Sequence, residues 1–324
     1  MRILRTLMVA SVCTLHTLPG FGQSGVRDYP ARPVTIVVPA PPGGTADLVI
    51  RTLSTKLAES LGQSVIVENR AGGGGIIATQ LVAKAAPDGY TLLMIYTSHA
   101  INPSLYAKLP YDSDKNFAPV TLLGQVPLVL VVPQEFPART MAEFVAYAKA
   151  NPGKLNFGSA AIGGASHLGG ELLNTMAGVD IQHVPYKGGA AAAMDLASGR
   201  LSMVLDSFLP LQPYIKSGKI RALGVASAKR SEMAPELPTV AETVPGFEAS
   251  AWFGIAVPAT TPREIVTRLN AEFVKALRDP ELRRRLTQQG FDPGGNSPDE
   301  FAVFMREETE KWARVIRRAG VNVE

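Results

Sequence analysis

The chain has 324 residues, with 32 Lys and Arg against 28 Asp and Glu, a formal charge of +4 and a single Cys. One Cys excludes a disulfide scaffold and a cysteine-based metal centre, and 46% hydrophobic with 19% charged residues is the reverse of a disordered composition. The length suits two domains at roughly 100–200 residues each, and so thin a basic surplus, without clustered Lys/Arg and aromatics, argues against nucleic acid as a partner.

Residues 1–22 predict a cleaved export signal. Arg2 and Arg5 supply its positive start. Leu7, Met8, Val9, Ala10, Val12 and Leu15 belong to an apolar stretch too short to span a bilayer, and Gly20 and Gly22 suit cleavage before Gln23. Cys13 does not fit a lipid-anchor site, because Val12 stands where a small residue is wanted. Removing two arginines leaves 30 basic against 28 acidic residues, and no thiol to mispair in an oxidising compartment. Beyond the leader no run of ~18 apolar residues occurs, so a soluble periplasmic product is expected.

Val34 to Val38 is a β-branched strand ended by Pro39-Ala40-Pro41-Pro42-Gly43-Gly44. Thr45 is placed to N-cap a helix in which Ala46, Ile50, Leu53, Leu57 and Leu61 share a face. Strand Val65–Glu68 leads into Gly72–Gly75 and a helix through Ala86. Pro87-Asp88-Gly89 turns the chain into strand Tyr90–Tyr96, and Thr97-Ser98-His99 opens another helix. After a Pro-marked loop, Val120–Val132 is a long extended run. Helix Met141–Ala150, strand Leu155–Gly158, the turn Ser159–Gly164 and a helix from Ser166 follow. Ile181–Val184, Met203–Asp206 and Ile220–Ala226 predict strands with helices between them, and Glu248–Val257 is a second extended run. Helices at Pro262–Leu277, Pro280–Gln289 and Pro298–Ala319 close the chain. In the last, Phe301, Phe304, Met305, Trp312 and Ile316 form an apolar face expected to join the core.

This alternation predicts an α/β fold of two domains, each a parallel-rich sheet flanked by helices. The two extended runs would cross between them as a hinge. Residues 23–124 and 251–324 are expected to form one domain and 125–250 the other, with a ligand cleft where strand ends and helix starts converge.

Chemical motifs are mostly negative. Gly73-Gly74-Gly75-Ile76-Ile77-Ala78 satisfies G-x-G-x-x-A, but the next strand ends at Tyr96-Thr97-Ser98 without the acid that a dinucleotide ribose requires. Gly164-Ala165-Ser166-His167-Leu168 begins like a nucleophile elbow but lacks the closing glycine. A secreted serine hydrolase using Ser166 and His167 is the alternative this segment keeps open, although sequence neighbours at a helix start would point to different faces. His99, His167 and His183 lie on different segments, and no metal or cofactor is expected. What repeats is one device: Pro42 to Asp47, Thr97-Ser98, Ser159 through Ser166-His167, and Tyr186 to Gly189 each follow a strand and open a helix. Backbone N–H groups, the helix dipole and hydroxyls make each a candidate cradle for a small anion. Asp47 is either part of such a cradle or an acid favouring its own helix start. Asp206, ending a strand, either receives a ligand amine or hydroxyl or caps the next helix.

At these turns the chain resembles the extracytoplasmic solute receptors of tripartite tricarboxylate transporters. The matching stretches include Val37-Val38-Pro39 through Asp47, Glu68-Asn69-Arg70-Ala71-Gly72, Pro87 through Leu93, Ala148 through Lys154, Ser166-His167-Leu168 with Glu171, and His183 through Gly188. Gly218 through Leu223, Leu237 through Glu242 and Trp252-Phe253-Gly254 complete them, in order from about Tyr29 onward. The resemblance implies a periplasmic binding protein of the two-lobed, type II-like kind, without catalysis, that closes on a small carboxylate and passes it to membrane subunits; a monomer is expected. It points to Gly43, Gly44, Thr45 and Asp47 in one domain, with Thr97 and Ser98 where the third strand opens. In the other it points to Ser159, Ser166, His167, Tyr186 and Asp206. One departure is Ala40, where the family often carries an aromatic residue; the smaller side chain enlarges the pocket or removes a stacking surface.

Overall fold

The computed structural model describes residues 29–160, 162–186, 188–231 and 234–321. The expected export signal lies outside the described residues.

Two β-branched segments, β1 (Val34–Val38) and β2 (Val65–Asn69), and the apolar β3 (Thr91–Tyr96) pair in parallel with β1 in the centre. A second parallel set is formed by β5 (Leu155–Ser159) between β6 (Ile181–Pro185) and β7 (Met203–Ser207). Two long strands join the sets: β4 (Phe117–Pro133) and β9 (Ser250–Pro258). The first part of β4, Phe117 to Pro127, pairs with β9, which also pairs with β3. Its last residues, Leu128 to Pro133, pair with β7 on one side and β8 (Ile220–Val225) on the other. Every pairing made by β4 and β9 is antiparallel. The sheet is therefore more mixed than simple β–α alternation predicts. The reason is directional: a strand passing from one parallel set to the other runs against the strands of the set it enters. A short β10 (Asp292–Pro293) adds to the edge of β4 and carries no sequence signal of its own.

The helices are α1 (Thr45–Leu61), α2 (Ile76–Ala83), α3 (Ser98–Leu105), α4 (Met141–Ala150), α5 (Ala165–Ala177), α6 (Gly189–Ala197), α7 (Phe208–Lys216), α8 (Arg263–Leu277), α9 (Pro280–Gln288) and α10 (Pro298–Ala319). In α1 the predicted stripe is the buried face: Ile50 and Leu53 have no exposure and Leu57 is 1% exposed. The helix stops at Gly62, whose left-handed φ of 67° lets its N–H close on the Ala58 carbonyl. Helix α10 starts in a capping box between Ser297 and Glu300, with Pro298 in the first turn.

Helices α8 and α9 pack against α1, whereas α10 packs against α3, β4 and α5 and so touches both parallel sets' helices. Its Phe301 and Trp312 are fully buried. Gly254 in β9 admits the Phe301 ring, which would lie 2.1 Å from any Cβ there. The two tryptophans of the chain, Trp252 on β9 and Trp312 on α10, donate their Nε1–H groups to the same oxygen of buried Glu308, both at 2.8 Å. Lys311 pairs with the other oxygen, so a charge that would be costly to bury is fully partnered. No helix among the described residues is long and apolar enough to cross a membrane.

Candidate ligand-binding site

The carboxyl ends of the parallel strands carry two turns built alike. After β1, Gly43 adopts a φ of 82° and Gly44 is extended at φ −79°, ψ 170°, before α1 begins. After β5, Gly163 has φ 72° and Gly164 sits at φ −82°, ψ 170°, before α5 begins. A positive φ is where glycine alone avoids a steric cost. In each turn the first glycine gives its N–H to the side chain four residues on. Gly43 donates to Asp47 Oδ2 at 2.9 Å, and Gly163 donates to His167 Nδ1 at 3.0 Å. Gly44 and Gly164 are the N-cap residues and provide no side-chain cap. The sequence expectation that Thr45 caps α1 is thus corrected: it is the first helical residue, because Gly44 already takes the extended cap conformation. The arrangement suits an anion, since the first-turn amides of both helices are left without a side-chain cap at the positive end of the dipole.

Asp47 itself is buried and faces its own turn. Arg51 Nε donates to Oδ1 at 2.9 Å and Asn69 Nδ2 at 3.0 Å. Burial works against its ionisation, but the hydrogen bonds from Arg51, the Gly43 amide and Asn69 outweigh it and hold the carboxyl below its ordinary value. Its geometry is that of a brace for the Gly43–Gly44 turn.

The second turn gathers a denser cluster. Ser166 Oγ accepts the Ala160 N–H at 3.0 Å, and the Ala160 carbonyl accepts Gly188 N–H at 2.9 Å, tying the β5–α5 and β6–α6 turns together. Ser159 Oγ lies 2.7 Å from His183 Nε2, and the rings of His183 and His167 stack with centroids 3.7 Å apart. Two of the three histidines that sequence spacing leaves scattered therefore meet; the signal for it is only that β5 and β6 register Phe157 against His183. Burial, then the neighbouring His183, depress His167 to about 4. With Nδ1 accepting from Gly163, the neutral ring carries its proton on Nε2, which faces Glu171 at 3.9 Å. Gly163 also packs across the molecule: Leu105 Cδ2, at the end of α3, is 2.6 Å from where its Cβ would sit.

Other predicted residues are engaged elsewhere. Thr97 Oγ1 accepts the Trp252 N–H at 2.9 Å, which locks the start of α3 to β9. Ser98 is partly exposed at the start of α3, and the Tyr96 hydroxyl donates to the Pro39 carbonyl at 2.9 Å. The Tyr186 hydroxyl donates to Asp195 Oδ2 at 2.8 Å and lies against α6 rather than beside Ser166. Asp206, the last residue but one of β7, has one carboxylate oxygen on the Ser207 N–H at 2.7 Å. Ser166 and His167 each bond a backbone amide of the turn and make no nucleophile–base pair, so nothing in the geometry supports a serine hydrolase. His99 is a core residue, buried against Tyr111 and Phe117 with Nε2 at 3.1 Å from the Ser113 carbonyl. A cavity of about 470 Å³ between α5 and α10, lined in part by Glu248, Glu308 and Lys311, borders none of these turns.

Two groups of parallel strands, joined by two crossing strands and bearing amide-rich turns at their carboxyl ends, define a periplasmic binding protein fold. The chain belongs to the tripartite tricarboxylate transporter family of receptors, whose family model matches residues 49–321. It is 44% identical over 320 residues to a UPF0065 protein encoded in the tcbD-tcbE intergenic region of Pseudomonas sp. strain P51, covering 98% of this chain and 95% of that one. An R. palustris protein solved with adipate is 39% identical and superposes with a TM-score of 0.76, covering 91% of this chain and all of that one. MatC of Rhodopseudomonas palustris, solved with bound malate, is 36% identical with a TM-score of 0.71, covering 89% of this chain and 100% of its own.

Proposed function

We propose that this protein is an exported receptor that captures a small organic carboxylate and delivers it to the membrane subunits of a tripartite transporter. The cleft lies between a lobe of residues 23–124 and 251–324 and a lobe of residues 125–250. Gly43, Gly44 and Thr45 on one side and Ser159, Ser166 and His167 on the other grip the carboxylate, with Asp47 as a brace. Closure follows because only the closed form lets both turns contact one ligand. The observation that carries this reading is the paired turn, in which one glycine amide is tied back to a side chain and the following helix start has no side-chain cap. The adipate and malate held by two relatives agree with a carboxylate. The protein is read as a binding protein, not an enzyme.

Calorimetry of the exported protein against di- and tricarboxylates, aromatic acids and amino acids tests it. Saturable binding of at least one is expected, with a melting shift equivalent to about 2.7 kcal/mol at ~100 times Kd. Absence of binding across the panel, together with turnover of an ester or phosphate that Ser166→Ala abolishes, would overturn it. Periplasmic fractionation with N-terminal sequencing tests the export signal; a retained Met1 would remove it.

A further inference from the structure

Among the described residues, Asp206, one of the residues the sequence singles out for ligand binding, has a deeply buried side chain that is incompletely bonded. It is 8% exposed and is the last residue but one of β7, where that strand and β5 run in parallel toward the helix starts. Its Oδ1 accepts the Ser207 N–H at 2.7 Å and lies 3.4 Å from the Ser207 hydroxyl. Its Oδ2 has no hydrogen-bond partner among the described residues. A buried carboxylate oxygen left unbonded costs on the order of 1–3 kcal/mol, and the cost is greater for a charge. Asp206 is therefore an expensive residue to keep for folding alone. Burial raises its pKa, with the two Ser207 bonds only partly opposing this, and no ion pair reaches it among the described residues.

Its surroundings give the unbonded oxygen a direction. Oδ2 lies 2.5 Å from where a Cβ on Gly189 would stand, so the first residue of α6 admits the carboxylate only by having no side chain. The preceding Gly188, at φ 110°, borders open space: a Cβ there would meet nothing within 4 Å. Gly188 is also hydrogen-bonded to Ala160, whose amide holds Ser166. The free oxygen is thus one residue from open space, on the turn that is tied to the proposed carboxylate cradle. If Asp206 merely capped α7, its side chain would reach into the first turn of that helix; instead the N-cap is Ser207, and it makes no side-chain cap bond.

We propose that Asp206 is a specificity-determining residue that receives, at Oδ2, a hydroxyl or ammonium group carried close to the bound carboxylate of the ligand. The inference rests on the receptor reading and narrows it to hydroxy- and amino-substituted carboxylates. Such a donor completes the hydrogen bonding of Asp206, and an ammonium also supplies the missing counter-charge. An unsubstituted chain of the same length leaves Oδ2 unbonded and is discriminated against on that account.

The test is calorimetry of the full, exported protein with matched ligands: L-malate and L-aspartate against succinate, with adipate as a donor-free reference. At least one substituted acid is expected to bind at least tenfold tighter than succinate. In Asp206→Ala and in Gly189→Ala, which keeps Asp206 but crowds Oδ2, that preference should fall to within threefold while adipate affinity changes little. Asp206→Asn separates the sources: a preference for the hydroxyl survives on the amide oxygen, whereas one for the ammonium is lost with the charge. Equal affinity for succinate in the unmodified protein, or a preference that persists in both alanine variants, overturns the inference. Binding of adipate with none of the other three overturns it too, while leaving the receptor reading intact. Failure of every carboxylate in the wider panel removes both.

Discussion

The turn after β1 and the turn after β5 share backbone geometry but not charge. Gly43-Gly44 and Gly163-Gly164 have nearly the same dihedral angles, and in each the first amide is held by the side chain four residues on. In the first turn the acceptor is a carboxylate with Arg51 four residues further; in the second it is a neutral imidazole with Glu171 in the corresponding place. The difference teaches what the position requires. A sideways-facing acceptor is needed to fix the glycine, and its charge is free to vary provided the next helical turn complements it.

Acid separates the two turns most widely. His167 and the buried His99 are both depressed from 6.5 to about 4. The unfolded chain therefore binds their protons first, and stability falls as pH drops from about 6.5 to 4. Each histidine accounts for on the order of 3 kcal/mol. Asp47 remains ionised over that window because its pKa is lowered, so the second turn fails before the first. Amide exchange at Gly163 and Gly43 between pH 7 and 4.5 checks this; simultaneous loss of protection would break the contrast.

Asp47→Ala should come next, costing about 3 kcal/mol in chemical denaturation. It leaves the Gly43 amide unpaired and removes one of the Asn69 bonds, while Asn69 keeps the Ala40 carbonyl and Arg51; the cost is held down further by the half-exposed Arg51. His167→Asp tests interchangeability directly. It sets a carboxylate beside Glu171, whose own pKa is already raised by burial, and should destabilise by roughly 2 kcal/mol. Adding Glu171→Arg copies the Asp47–Arg51 arrangement and should recover most of the loss; no recovery in the double-variant melt would show that charge complementarity is not the rule. The smallest effect on stability is expected for Gly44→Val. Its φ of −79° tolerates any residue, and a Cβ would meet only the Pro41 carbonyl at 3.7 Å. The melting point should stay within about 2 °C. Ligand affinity should fall at least tenfold, because the side chain covers the helix start; unchanged affinity would take the first turn out of the site.

Much of the fold was legible because its signals are local. The β-branched run at β1, the apolar run at β3, the i, i+4, i+7 stripe of α1 and the Pro298 start of α10 are properties of short segments. The long apolar runs likewise announced β4 and β9 as something other than ordinary alternating strands. Strand direction was less legible: the antiparallel entry of β4 and β9 depends on which parallel set they come from, and no window of sequence records that. The proposed site was legible as turns and illegible as bonds. Gly43, Gly44, Ser159, Ser166 and His167 were marked by their places after strands, yet His183 was not, because it joins His167 only through the β5–β6 pairing. Tyr186 and Thr97 were marked too, and their hydroxyls are taken by Asp195 and Trp252, partners fixed by packing.

The single Cys, the near-neutral charge and the glycines gathered after strands were enough to exclude a disulfide scaffold and to mark where a ligand could be held. Those conclusions need only composition and local conformational preference, which each residue carries with it. Which acceptor holds which amide, that two distant histidines stack, and that Asp206 keeps one oxygen unbonded beside Gly189 were decided by tertiary structure alone. Hydrogen bonds and burial are properties of pairs brought together by folding.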